Sequence, residues 1–265
     1  MLKALYTSAT GMKAQEMLID NTANNLANVN TTGFRRSHLD FADLVYTTYR
    51  QPGTAIANGQ VSPTGLQIGN GVRVAATNKH FTQGSVEQTG NPLDVAIEGD
   101  GFFQVSLPNG EFRYSRAGNL RIDSNGQLVN ADGFLLNPPV TVTQGIDISK
   151  ITIGTNGIVQ GIRSGSSQLP EDLGQIQLFS FLNPAGLSSE GSNLFAETAA
   201  SGVAVPGTAG DPGFGVLRQS FLEGSNVEVV TELISLISAQ RAYEINSRAI
   251  RAGDEMLSTS AQIVR

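Results

Sequence analysis

The chain contains no cysteine and no tryptophan, and only two histidines, His38 and His80. Without thiols it can hold no disulfide, thiolate nucleophile, iron–sulfur cluster or Cys-ligated zinc, and two histidines isolated in sequence argue against a His-rich metal site. Charge is also scarce. Lys and Arg number 17 against 23 Asp and Glu, a net of −6, and charged residues make up only 15% of the chain. Releasing counterions from a nucleic acid needs a basic surface, so no nucleic-acid partner is expected. No run of 18 or more apolar residues occurs, so no transmembrane segment is expected either. The opening residues MLKALYTSATGMKAQ carry Lys3 but lack a continuous apolar core and a small-residue cleavage site. The expectation is export without a cleaved signal peptide, if the chain leaves the cytoplasm at all. GTAGDPGFG lacks the Lys-Ser/Thr and entering strand of a P-loop, no Gly-x-Ser-x-Gly occurs, and no cofactor is expected.

What the chain does have is heptad patterning at both ends. At 265 residues it is long enough for one large or two modest domains, at about 150 residues per domain. Steps of three and four place Leu2, Leu5, Ala9, Met12, Ile19, Ala23 and Leu26 on one stripe, broken only by Glu16. This predicts an amphipathic helix ending near Thr31-Thr32-Gly33, with Gly33 as a left-handed cap. The last forty residues repeat the pattern through Val229, Leu233, Leu236, Tyr243, Ile250, Leu257, Ala261 and Val264, interrupted by Gln240, Ser247 and Asp254. Ser225 or Asn226 is the expected N-cap, with Glu228 in the first turn. Gly253 inside the helix costs about 1 kcal/mol relative to Ala.

Between these ends the period changes to two. VRVAAT, LDVAIEG, FFQVSL, LRIDS, ITIG, IVQGI and IQLFSF are short, rich in β-branched or aromatic residues, and bounded by turn residues. Asn109-Gly110, Asn125-Gly126 and Asn156-Gly157 sit between such stretches and predict hairpins. The expected fold class is α+β: an assembly helix over 1–33, an extended linker and loop over 34–71, a mostly antiparallel β domain over 72–200, a Gly/Pro-rich return path over 201–225, and a second assembly helix over 226–265.

Two heptad helices that pair with each other leave apolar far sides, worth roughly 1.5–3 kcal/mol per large side chain when buried. Packing against copies of the same chain is the natural resolution. The expected interface comprises Leu2, Leu5, Met12, Ile19, Leu26, Leu233, Leu236, Gln240, Tyr243, Ile250 and Leu257. Asn21, Asn24, Asn25 and Asn28 form a second face at i, i+3, i+4, i+7 spacing. Asn is a poor helix former, and its amide can fix register between helices, whereas Lys, Glu or Gln would suit a merely solvated face better. In the 46–70 loop, Pro52 and Pro63 restrict the backbone, and Ile56, Val61, Leu66 and Ile68 could dock on a neighbour. Arg35-Arg36 with His38 follows a helix end, where the dipole favours positive charge. An enzyme reading would use Asp94, Glu98 and Asp100 as paired carboxylates, but Asp100-Gly101 reads more simply as a turn, and no catalytic residue or metal ligand is assigned.

ALYTSATGM, NTANNLANVNTTGFRRS, SAQRAYEINSRAI and GDEML at the ends, with GDGFFQVSLPNGEFRYSRAGNLRIDSNGQLVNADGFLLNP in the middle, give the chain its resemblance over essentially its whole length. It resembles the axial proteins of the bacterial flagellum, the rod and hook family. RQPG and SPTGLQIGNGVRV look like the distal-rod branch of that family. Thr22 departs from a position often apolar in the family, and Leu120 from one that is commonly aromatic. The resemblance implies a rigid helical tube that carries motor torque to the hook, with the terminal helices as an inner coiled-coil layer, the β domain outside, and the 46–70 loop as a stiffener. It implies copies of itself as the main partner, with proximal rod proteins, the hook protein, surrounding ring (bushing) proteins and the flagellar export apparatus. It places the chain in the periplasm-spanning rod of the basal body. A hook or proximal-rod axial subunit, or a non-flagellar secreted β-rich adhesin, is the alternative.

Overall fold

The computed structural model describes residues 2–53, 63–163 and 170–263. They fall into two compact units. One gathers both ends of the chain with residues 37–78, and the other holds residues 28–36 and 79–227.

The first unit is built on two long helices, α1 (Leu2–Ala27) and α2 (Val229–Ile263), roughly 39 and 52 Å long at 1.5 Å per residue. Leu5 lies against Gly253, Gly11 against the side chain of Asn246, and Asn25 bonds to Glu232. Numbers rise along one helix as they fall along the other, so the pair is antiparallel. The facing seam is made of small or polar residues: Gly11, Ala14, Thr22 and Asn25 on α1, and Glu232, Ala239, Asn246 and Gly253 on α2. A Cβ at Gly11 would stand 3.1 Å from Asn246 Nδ2, and one at Gly253 would stand 2.6 Å from Leu5 Cδ2. Gly253 therefore makes room for the Leu5 side chain, which accounts for a residue that helix propensity disfavours.

The seam differs in phase from the sequence stripes. One track of each stripe, Leu5, Met12, Ile19 and Leu26 on α1 and Leu236, Ile250 and Leu257 on α2, flanks the seam half-buried, while Ala9, Ala23, Leu233 and Gln240 face out. Neighbouring heptad tracks share one period, and close packing selects the smallest side chains. Helix α1 also stops earlier than expected. Asn28, Asn30, Thr31 and Thr32 form turns held by Thr31 N–H to Asn28 O, since Asn and Thr are weak helix formers. Gly33 does adopt a left-handed φ of 70°, but six residues beyond the helix end. Helix α2 starts at Val229, so Glu228 precedes its first turn.

Strands occupy much of the stretch expected as linker. In the first unit β1 (Ser37–Asp43) pairs with β4 (Val72–Lys79), and β2 (Thr47–Arg50) forms an antiparallel pair with β3 (Leu66–Ile68). The β unit runs through β5 (Val86–Gln88), β6 (Val95–Glu98), β7 (Phe103–Ser106), β8 (Phe112–Ser115), β9 (Arg121–Ile122), β10 (Leu128–Val129), β11 (Leu135–Asn137) and β12 (Thr152–Ile153). It continues with β13 (Ile158–Gly161), β14 (Glu171–Gln175), β15 (Gln177–Ser180), β16 (Ser188–Gly191), β17 (Leu194–Ala196), β18 (Val205–Thr208), β19 (Val216–Gln219) and β20 (Phe221–Glu223). Its main sheet has the order β16-β17-β8-β7-β11-β10-β9, and the smaller ones are β12-β13-β14, β15-β18, β19-β6 and β20-β5. The pairing is antiparallel throughout these sheets. The three Asn-Gly turns join β7 to β8, β9 to β10 and β12 to β13, with the glycines at φ near 80°. Residues 201–225, expected as a return path, supply β18, β19 and β20.

Two apolar clusters fill the β unit. One packs Val95, Ile97, Phe103, Leu128, Leu136, Ile176 and Leu217 together. The other is aromatic, with Phe102, Phe179, Phe181, Phe195 and Tyr114 meeting mostly edge to face. Beside them lies a buried ion cluster. Glu223 accepts from Arg35 Nη2 at 2.8 Å and from Arg116 Nε at 3.1 Å, with the Arg35 and Glu223 side chains wholly buried. Arg116 also donates to Gly99 O and Gly101 O, and Glu223 accepts from Gly84 N–H. Burial pulls the Arg116 guanidinium below the ordinary arginine range, opposed by Glu223. Arg35, expected to sit at the helix dipole, is instead a core residue of the β unit. Glu223→Ala leaves two buried cations without their anion and is expected to cost about 3–5 kcal/mol, read by urea unfolding followed by circular dichroism. An unchanged midpoint would show that the cluster contributes nothing.

Candidate assembly surface

With a small seam turned inward, α2 carries its large apolar side chains outward. Val230, Ile234, Ile237, Ile245 and Met256 recur at helical spacing on one side, and Ile234 and Ile245 are 60% and 65% exposed. Leu233 borders that stripe at 40% exposure, whereas Tyr243, on the track of Leu236, Ile250 and Leu257, lies on the seam side at 40%. Arg241 and Arg248 interrupt it, and Glu244 pairs with Arg248 at 3.8 Å. On α1, Tyr6 and Met17 are exposed. A largely apolar stripe left bare on a helix marks an interaction site, because single exposed apolar residues are ordinary on a surface and rows of them are not.

Among the described residues expected at the interface, Asn25 alone is buried. The side chain of Leu2 and all of Ile56 and Val61 lie outside the described residues. Gln240 and Asn24 are exposed, whereas Asn21 and Asn28 are half-buried. The four asparagines do not act as one face. Asn25 donates from Nδ2 to Ser37 O at 2.8 Å and to Glu232 Oε2 at 3.2 Å, and its Oδ1 accepts from Ser37 N–H at 2.9 Å. Asn21 donates to the same Ser37 carbonyl at 2.8 Å. Asn28 accepts from Thr31 Oγ1 in its own turn. Glu232, missed in the sequence, is 1% exposed. A charged residue in a helix otherwise read as amphipathic was the available signal.

The β2–β3 hairpin presents a second apolar patch. Tyr46, Tyr49, Leu66 and Ile68 are exposed on it, and Lys3 Nζ lies 5.5 Å from the Tyr49 ring centroid. Pro52 and Pro63 are both exposed. The carboxylates of the enzyme reading do not converge. Asp94 accepts from Thr89 Oγ1 and Asn91 Nδ2 within a turn, and Glu98 pairs with Arg218 at 3.5 Å. Among the described residues no cluster of His, Asp and Glu could hold a metal ion, and no helix is long and apolar enough to cross a membrane.

Three family models match in chain order: the flagella basal body rod protein model over residues 5–35, the flagellar hook protein FlgE/F/G D1 domain over 96–161, and the flagellar basal body rod FlgEFG protein C-terminal model over 218–263. The flagellar basal-body rod protein FlgG of Borreliella burgdorferi is 46% identical across all of both chains. The chain belongs to the flagellar basal-body rod protein family. The FlgG protein of Caulobacter vibrioides is 44% identical over 99% of each chain, and that of Bacillus subtilis 37% identical over the whole of both. The terminal family models overlie α1 and α2, so the helices with the bare stripe are family features rather than appendages.

The stripe makes a direct expectation. Replacing Ile234 and Ile237 together with Ser removes exposed side chains only, so the free chain keeps its melting temperature within error while self-association weakens by at least tenfold. Sedimentation against concentration measures it, and unchanged association would remove the stripe from assembly.

Proposed function

We propose that the chain is a structural, non-enzymatic subunit of the distal rod of a bacterial flagellar basal body, polymerising into a stiff helical tube that carries torque to the hook. The observation that carries this reading is the full-length likeness to basal-body rod proteins. The bare outer face of α2 supports it physically, since a monomer in water gains nothing from such a face. In this reading the terminal helices form a coiled-coil inner layer, the β domain of residues 72–200 surrounds it, and 34–71 and 201–225 connect them. The apolar positions of both helices, with Asn24 and Gln240, make the contacts between copies. A heterologous contact whose rotation does not close produces a helical tube rather than a ring.

Proximal rod proteins, the hook protein and surrounding ring proteins are the neighbours this role calls for, and the flagellar export apparatus is the route out. The β2–β3 hairpin and the segment between its strands act as the stiffener through Pro52, Ile56, Val61, Pro63, Leu66 and Ile68.

Electron microscopy of the purified chain tests the role. The full chain is expected to form uniform tubes, and residues 28–227 alone a soluble monomer that forms none. A truncated core that still polymerised at the same concentration would refute helix-driven assembly. Excising residues 51–67 is expected to preserve tubes and shorten their persistence length severalfold. An unchanged persistence length would remove the hairpin from the mechanism.

A further inference from the structure

The buried polar node at Asn25 has a geometry that a merely space-filling contact would not need. Asn25 is 0% exposed, and its amide is used on both sides: Oδ1 accepts from Ser37 N–H, while Nδ2 donates to Ser37 O and to Glu232 Oε2. Asn21 adds a second donor to Ser37 O. Three chain segments, α1, the start of β1 and the start of α2, therefore meet in one set of directional bonds. The rest of the seam supplies less direction. Leu5 against Gly253 is a single steric marker near one end of the pair, while Gly11, Ala14 and Ala239 are small and alike and discriminate weakly between alignments one turn apart.

We infer that Asn25 and Glu232 are positioning residues that fix the register of α2 against α1. Through that register they set the height and phase at which the Val230–Met256 stripe is offered to the next copy. The inference rests on the assembly reading only for its second half, because the register itself belongs to the single chain. Buried polar side chains in helix pairs characteristically act this way, selecting one alignment rather than adding stability.

The chain has no native cysteine, so two introduced cysteines are the only labelling sites. Ala9 on α1 and Ser238 on α2 are both exposed, and the Gly11–Asn246 and Leu5–Gly253 contacts place Ser238 ten residues along the axis from the level of Ala9, about 15 Å at 1.5 Å per residue, so a slide of the helices changes the distance between them. Spin labels on Ala9→Cys and Ser238→Cys report that distance, read on the free full chain and on labelled chain co-assembled with unlabelled excess. The parent is expected to give one narrow distance in at least one of these forms. Asn25→Leu with Glu232→Leu is expected to melt no lower but to give a broad or double distance, with a second population displaced by about 3–5 Å, the part of a one-turn slide that falls along the label vector. Tubes from it are expected to show mixed helical twist. Glu232→Gln, which can still accept from Asn25, restores the single distance. If the double-leucine chain loses its helices, Asn25→Ser, too short to reach Glu232, carries the same test. A narrow, unshifted distance in the replaced chain, or no narrow distance in the parent in either form, overturns the inference. Absence of tubes from the parent defeats the assembly reading instead, and the free-chain distance still decides the register.

Discussion

Two helices can pack closely only where their facing side chains are small, and in this chain that requirement determines where everything else on the helices goes. Interaxial distances in helix pairs run over about 8–10 Å according to the side chains at the contact. Gly11, Ala14, Ala239 and Gly253 belong at the short end of that range. Leu5 fits because residue 253 has no Cβ. Once the seam is closed by small residues, Val230, Ile234, Ile237 and Ile245 of α2 have no place inside and remain on the outer side. Each would bring about 1.5–3 kcal/mol if covered. The helix pair is thus settled along its seam and unsatisfied along its back, which is the physical definition of a part made for an assembly.

The β unit is arranged the other way. Its apolar clusters are closed, its hairpins are local, and its deepest charges are paired within it. Gly33 N–H donates to Glu223 O, Asn226 bonds to Arg36 N–H and to His80 O and Thr82 O, and Arg35 shares Glu223 with Arg116. Residues 33–36 follow α1 in sequence and 221–226 precede α2, so the segments next to both helices are fastened to each other within the β unit.

Local features were legible in the sequence and relational ones were not. The strands at VRVAAT, FFQVSL and IQLFSF and the three Asn-Gly hairpins were readable because alternation and left-handed turn residues act over a few positions. Both helices were readable for the same reason, but not their phase. The Leu5–Met12–Ile19 track and the Gly11–Leu18–Asn25 track have the same period, and only the partner helix decides between them. Segments 37–50 and 205–223 read as linkers because Gly, Pro and Thr weaken any strand signal, whereas their pairing comes from partners far away in sequence, such as β6 for β19. Arg35 and Glu223 are separated by 188 residues, and no local pattern could join them. The asparagines were read as a single face, yet Asn25 is buried and Asn24 exposed, and which of them turn inward depends on where Ser37 returns.

Helix α1 carries Gly11, Asn21, Asn24 and Asn25 as well as Thr7, Thr10 and Thr22, all residues of low helix propensity, and its first turn contains no acidic residue to favour the dipole. An isolated helix of this composition is marginal in water, so its order must come from the seam and from the bonds to Ser37. The bonds to Ser37 need β1 and the seam needs α2, which makes the ordering of α1 cooperative rather than local. The apolar stripe of α2 becomes a defined surface at the same moment, because a stripe has a fixed phase only once its helix is docked. Weak propensity and a polar node therefore serve the same end: the associating face exists in one geometry when the pair is formed, and in no particular geometry before.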